Sequence, residues 1–87
     1  GDAYPNPFNP ETNIEFSVPA DGHVKIDVFN SVGQLVNSIV DQDLSAGAYT
    51  ATWEALDVSG NQVSSGVYFY RLRAGHRSQV RKLLLIQ

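Results

Sequence analysis

The chain has 87 residues, of which 43% are hydrophobic and 17% are charged, and its net charge is −3 with a pI near 5.0. This length suits one domain with a modest core, and the acidic balance disfavours a nucleic-acid-binding protein, which would carry a basic surface. There is no cysteine, which excludes a disulfide framework and a zinc–thiolate site.

The chain also lacks methionine, including at residue 1, so we expect a mature or excised part of a longer protein. No segment has the pattern of a signal peptide. The longest apolar run, at 83–86, is far too short to span a bilayer.

The first two predicted strands follow from period-two alternation of apolar and polar residues. Strands are predicted at about 13–18 and 23–28, with the apolar positions Ile14, Phe16 and Val18, then Val24, Ile26 and Val28. Asp21-Gly22, between them, is a strong turn signal. The simplest arrangement is a hairpin of these two strands.

The middle of the chain predicts two further strands. One covers about 34–40, with an unclear phase, and a polar loop is expected at 41–47. The other covers about 48–54 and places Tyr49, Ala51 and Trp53 on one face. The cluster of turn residues at 57–61 then ends this part of the pattern.

Two strands are predicted at the end of the chain, at about 67–74 and 77–86, joined by a turn at 74–76. In the first of these strands, Tyr68, Tyr70 and Leu72 share one face. In the second, four consecutive aliphatic residues at 83–86 do not alternate with polar ones, so the sequence does not show which of them face the core. A short seventh strand is expected near 61–64 or in the proline-rich start. Short strands at this spacing predict an all-β antiparallel sandwich or small barrel.

A corner pattern, apolar-x-x-Gly-x-Tyr, occurs at 44–49 and again at 63–68. Gly47 and Gly66 are suited to a positive φ that ends the turn. Tyr49 and Tyr68 would then pack inward and return their hydroxyls to the loop backbone, as in the tyrosine corner of Greek-key sandwiches. The alternative is that the repeat is a coincidence in a β-rich chain.

Trp53, which shares a strand face with Tyr49, is predicted to lie in the core. An exposed Trp53 would instead favour stacking on a sugar ring.

No pattern predicts catalysis or a cofactor. His23 and His76 lie beside turns and have no partner at metal-ligand spacing, and no nucleophile elbow is present. The segment beginning at Asp57 resembles a calcium loop, but the position that needs a Glu is Tyr68. We therefore predict no enzyme and no cofactor, while a loop calcium site at Asp57 stays open.

Cationic residues cluster late in the sequence. They are Arg71, Arg73, Arg77, Arg81 and Lys82. If the last two strands pair, part of this set lines one face, which is either a solvated sheet surface or a contact for an acidic partner.

Five segments in order resemble the C-terminal sorting domains of proteins exported by the type IX secretion system of Bacteroidetes. They are YPNPFNP at 4–10, VFNSVGQLV at 28–36, LSAGAY at 44–49, GVYFYR at 66–71 and RKLLLIQ at 81–87. The family often has Asp at the place of Asn30, and its members often end in Lys where this chain has Gln87. The segment 53–68 is also similar to the Ig-like domain of flagellar hook-capping proteins.

Both resemblances imply an Ig-like β-sandwich of about seven strands with Greek-key topology. The sorting family implies a non-catalytic module at the end of a larger secreted protein, exported through the periplasm and attached to the cell surface. Its partners would be the secretion machinery and an upstream cargo, and exposed edge strands would permit a weak homodimer. The matching recognition positions are Gly66, Tyr68, Lys82, Leu83, Leu84, Leu85 and Ile86.

The alternative functions are a polysaccharide- or protein-binding module and a structural spacer in a multidomain enzyme.

The opening segment, 1–12, is predicted to be an extended lead-in that joins the cargo to the sandwich at 13–87. Each proline fixes its own φ and pushes the preceding residue towards extended conformations. Tyr4 and Phe8 are expected to pack against the sandwich.

Overall fold

The computed structural model describes residues 11–86, which form two antiparallel sheets. One sheet has two strands in the order β1–β4, and the other has four in the order β3–β2–β5–β6. The strands are β1 Thr12–Val18, β2 Gly22–Asn30, β3 Leu35–Leu44, β4 Gly47–Trp53, β5 Gly66–Ala74 and β6 Arg77–Leu85. The predicted all-β, Ig-like antiparallel sandwich is confirmed.

The strand count within residues 11–86 is six, one fewer than predicted. The segment 61–64 contributes only an isolated bridge, Leu56 with Gln62, and no strand. The other candidate for a seventh strand, together with Tyr4 and Phe8, lies outside the described residues. Residues 11–86 contain no helix that could cross a membrane.

The predicted hairpin of the first two strands is wrong. β1 pairs with β4, with Phe16 opposite Tyr49, whereas β2 pairs with β3 and β5. The turn at 19–21 therefore carries the chain from one sheet to the other. Both strands keep their apolar sides in the core this way, because residues 14, 16 and 18 face residues 24 and 26 across the sandwich.

β3 is longer than predicted and is irregular. Two β-bulges place Val36 and Ile39 as extra residues opposite β2, and both turn towards the core. These insertions explain the unclear phase of the sequence, since each one shifts the alternation by one residue. Residues 41–43, predicted as loop, belong to the strand because they pair with 23–25 of β2.

The core forms two adjoining clusters of apolar side chains. One gathers Ile14, Phe16, Val18, Val24, Ile26 and Ala51, and the other gathers Val28, Val36, Trp53, Ala55, Tyr68 and Leu85. Half-buried Ile39, Tyr70 and Leu83 pack against both clusters. The sandwich thus has one continuous interior with an aromatic half at the β4–β5 end.

The connection from β4 to β5 closes this aromatic half. Ala55 is fully buried and has a φ of 61°, an unusual conformation for a residue with a Cβ. The Leu56 carbonyl accepts hydrogen bonds from Trp53 Nε1 at 3.0 Å and from Asn37 Nδ2 at 2.9 Å. Val58 N donates to the carbonyl of the bulge residue Val36. The connection is therefore fixed to both sheets.

Candidate functional site

The last two strands form a hairpin, β5–β6, that brings the predicted recognition residues together. Gly66 pairs with Leu85, and Tyr68 pairs with Leu83. Gly75 in the connecting turn has a φ of 62°, which a type II′ hairpin turn requires at its first central position. Residues from two separate sequence blocks therefore lie side by side at the end of this hairpin.

The structure divides these residues into a buried and an exposed set. Tyr68 and Leu85 are buried and Leu83 is half-buried, whereas Leu84 is 63% exposed and Ile86 is 75% exposed. Lys82 is also exposed. The aliphatic run, whose phase the sequence left open, thus points its odd-numbered residues inward and its even-numbered residues outward.

The hairpin carries a strong positive charge on an acidic protein. Residues 66–86 include five of the six Lys and Arg residues of the chain and none of its nine acidic residues. The remaining cation is Lys25 on β2. The cluster that the sequence showed along the chain is therefore also a cluster in space.

Part of this charge is neutralised by the one buried acid of residues 11–86, Asp27, which is 3% exposed. Its carboxylate accepts a hydrogen bond from Ser38 Oγ at 2.6 Å and lies 3.5 Å from Arg71 Nη2 and 3.9 Å from Arg73 Nη2. The Arg71 guanidinium also lies 5.1 Å from the centroid of the Phe29 ring, within cation–π range. Arg71 and Arg73 are therefore tied to the outer face of the sheet.

A groove of about 580 Å³ opens beside β6, between the two sheets. Its floor includes Phe16, Tyr70 and Leu72, and the exposed Arg77 and Arg81 of β6 line one side. The groove exists because the two-stranded sheet, within residues 11–86, does not cover the inner face of β6 at 77–81, whereas Leu83 and Leu85 are covered. Within residues 11–86, neither of these arginines forms an ion pair.

Both corner repeats have the hydrogen bond expected from the sequence. Tyr49 Oη donates to the Ser45 carbonyl at 2.6 Å, and Tyr68 Oη donates to the Ser64 carbonyl at 2.6 Å. The glycines that precede the two tyrosines have φ values of 155° at Gly47 and 154° at Gly66. The two corners therefore have the same local structure, although the strands that follow them, β4 and β5, belong to different sheets.

Trp53 is 1% exposed and meets Tyr68 edge to face, with ring centroids 5.2 Å apart. Its ring face is not available to a sugar, so the observation that would have favoured polysaccharide binding is absent at this residue.

His23, which the sequence placed beside a turn, lies on β2 between two carboxylates. Its Nε2 is 2.6 Å from Asp41 Oδ1, and its Nδ1 is 2.8 Å from Asp43 Oδ1. Because ionised carboxylates only accept hydrogen bonds, both ring nitrogens donate when the ring is protonated. Hydrogen bonding to Asp41 and Asp43 raises the pKa of His23, and the bond from His23 lowers the pKa of Asp41.

Sequence reasoning missed this His23 cluster because residues 41–43 were assigned to a loop. The register His23 with Asp43 and Lys25 with Asp41 sets it.

The segment at 57–61 uses its acidic side chain internally. Asp57 Oδ1 accepts from Ser59 N at 2.9 Å and from Asn61 N at 3.0 Å, the pattern of an Asx turn. Among residues 11–86, no three His, Asp or Glu side chains are grouped so that they could hold a metal ion.

Comparison with known families gives one match across nearly the whole chain. The family model of the secretion system C-terminal sorting domain matches residues 2–87. No curated protein matches the chain.

Among solved structures, the crystal structure of FlgD from P. aeruginosa superposes with a TM-score of 0.68 at 21% sequence identity. The match covers 86% of this chain and 58% of the FlgD chain. FlgD is a flagellar hook-capping protein, so the resemblance noted in the sequence is confirmed. At this identity the likeness shows the fold alone.

Proposed function

The chain belongs to the secretion system C-terminal sorting domains, the sorting family of type IX secretion, and we propose that it addresses a larger secreted cargo to that machinery. In this proposal the domain is non-catalytic, the cargo lies upstream in the same chain, and export passes through the periplasm to the cell surface. A role as a type IX sorting signal follows from the family itself.

The observation that supports the proposal most directly is the division of the β5–β6 hairpin into an inner and an outer row. Gly66, Tyr68, Leu83 and Leu85 fit the role of positioning, because they build the end of the hairpin. The outer row, Lys82, Leu84 and Ile86, is exposed and available to a partner. Exposed aliphatic residues that are grouped on one face, unlike single scattered ones, are typical of a contact surface, and Val80, Leu84 and Ile86 are grouped in this way on the outer face of the last strand.

The test is an export assay in a host that has the type IX machinery. The 87-residue chain is fused to the end of a periplasmic reporter, and reporter activity is measured at the cell surface and in the periplasm. The triple variant Lys82→Ser, Leu84→Ser, Ile86→Ser is expected to leave the reporter in the periplasm, because it removes the exposed row and keeps the buried one.

The matched control replaces other exposed aliphatic residues far from the hairpin. Val32 is 77% exposed and Val58 is 72% exposed, and the double variant Val32→Ser, Val58→Ser is expected to export normally. Unfolding of either purified variant is followed by circular dichroism, so that a stability loss is not taken for a recognition loss. Periplasmic retention of the unaltered fusion would contradict the proposal.

A further inference from the structure

The second strand of the hairpin, β6, lies at an edge of the four-stranded sheet. Within the part of the chain that the structure describes, β6 pairs with β5 and with no other strand. Among residues 11–86, the edge of β6 that faces away from β5 therefore has no strand paired with it, and alternate residues of Arg77–Leu85 point their backbone N–H and C=O groups to this edge. Such an edge can accept an additional strand from another protein, in which main-chain hydrogen bonds supply affinity.

The charge of this edge specifies the chemistry of the added strand. β6 contains Arg77, Arg81 and Lys82 and has no acidic residue. The opposite edge of the same sheet, β3, carries Asp41 and Asp43 and has no cation. An acidic segment is thus attracted to β6, whereas a basic segment is repelled from it.

The two faces of β6 add a side-chain pattern. Val80 and Leu84, 61% and 63% exposed, lie on the outer face. Arg77 and Arg81 lie on the other face and line the 580 Å³ groove, whose lining also includes Glu15 of β1, so the two arginines outnumber the one acid there. Because neighbouring strands place paired side chains on the same face, the matching segment has aliphatic residues on one side and acidic residues on the other. Its sequence therefore alternates the two types.

We propose that β6 binds an extended segment of a partner protein by strand addition, and that this segment alternates acidic with aliphatic residues. The acidic side chains lie over the groove beside Arg77 and Arg81, and the aliphatic ones cover Val80 and Leu84. The inference takes the hairpin as the surface that the sorting machinery reads, so its biological setting rests on the proposed function. Its physical test does not.

The test uses the isotope-labelled 87-residue chain and a capped ten-residue peptide in which valine and glutamate alternate. We expect amide chemical-shift changes that saturate and are confined to β6 and the groove, together with slower hydrogen exchange of β6 amides. The variant Arg77→Gln, Arg81→Gln is expected to weaken binding by about three- to tenfold at low salt, as the loss of two exposed ion pairs would.

Two controls separate strand addition from general charge attraction. Ser31→Glu, Ser59→Glu changes the net charge by the same two units in turns outside the hairpin, and it should bind as the unaltered chain does. A peptide that alternates valine and lysine should not bind. Equal binding of both peptides, shifts that map to β3, or no binding of the glutamate peptide at millimolar concentration would overturn the proposal.

A second copy of the chain is the competing occupant of this edge. If the Arg77→Gln, Arg81→Gln variant dimerises in sedimentation and neither chain binds the peptide, the arginines protect the edge from self-association and the proposal is wrong. A reporter retained in the periplasm together with intact peptide binding would contradict the sorting function and leave this binding site in place. Normal export of the reporter without peptide binding would support the sorting function and contradict this binding site.

Discussion

The two tyrosine corners share one sequence pattern and one hydrogen bond but lie in different surroundings. Tyr68 is 6% exposed and packs edge to face on Trp53 in the aromatic half of the core. Tyr49 is half-buried and stacks on Phe16, with ring centroids 5.6 Å apart, in the narrow two-stranded sheet. A local motif therefore fixes the turn, whereas the neighbouring sheet decides how much the ring contributes to stability.

The largest difference is expected when each ring is removed. Tyr68→Ala should lower the free energy of unfolding by about 3–5 kcal/mol, as for other buried aromatics that leave a cavity. Tyr49→Ala should cost about 1–2 kcal/mol, because its ring is half-buried and loses less apolar contact. Urea unfolding followed by circular dichroism measures both. Equal losses would show that the corners are energetically equivalent and would refute the contrast.

Substitution of the corner glycines should affect the two sites equally. Gly47→Ala and Gly66→Ala each force a residue with a Cβ into a φ near 155°, which costs about 1–3 kcal/mol. The added Cβ meets no close neighbour at either position: the nearest atom is Tyr49 Cε2 at 3.8 Å from Gly47. Melting temperatures of the two variants should therefore agree, and a stable alanine variant at either site would exclude backbone strain there.

Removal of the hydroxyl alone gives a smaller effect. Tyr68→Phe leaves the Ser64 carbonyl partly shielded from water and should cost about 0.5–1.5 kcal/mol, the usual net value of one hydrogen bond. Tyr49→Phe should cost less, because water can replace the lost donor at its exposed carbonyl partner. The same unfolding experiment measures the difference. A larger loss of stability for Tyr49→Phe than for Tyr68→Phe would contradict the expectation that the more buried hydrogen bond contributes more.

The smallest expected effect is a pH dependence of the stability contributed by the His23 contacts, which lie near the first corner and not near the second. Asp41 and Asp43 lie near the end of strand β3, just before Leu44, where the corner begins, and both contact His23. The pKa of His23 is raised above its ordinary 6.5, so its contribution is fully present below 6.5 and is lost as pH rises through the raised value. The pKa of Asp41 is lowered below 3.8, so its contribution is lost only in more acidic solution.

A double comparison isolates this contribution. The difference in urea midpoint between the unaltered chain and His23→Ala should be larger at pH 5.5 than at pH 9. Lys25 and Arg73 also face Asp41 and are present in both chains, so the comparison of His23→Ala with the unaltered chain leaves their contribution out. A pH-independent difference for His23→Ala would contradict the interpretation.

Local patterns predicted much of the fold and part of the candidate site. Strict alternation at 13–18 and 23–28 identified β1 and β2, and the burial of Ile14 and Val24 follows that alternation. The pairing of the same strands was predicted wrongly, because a turn signal such as Asp21-Gly22 shows that the chain bends and does not show which sheet it enters.

The recognition residues stay a prediction, but their inward and outward placement could not come from the sequence. Four consecutive aliphatic residues contain no alternation, and only the pairing of Tyr68 with Leu83 fixes which of them face the core. The β3 bulges and the His23 cluster were hidden for a related reason. Both depend on the register with β2, which is a contact between residues that are distant along the chain.

The sequence by itself determined the class of fold, the two Gly-x-Tyr corners and the basic character of the last two strands, because each depends on residues that are close along the chain. The tertiary structure alone decided that the cationic strand lies at a sheet edge beside an open groove. That outcome follows from sheet widths: within residues 11–86, two strands cannot cover four, and the inner face of β6 is left open at 77–81, although Leu83 and Leu85 reach the core.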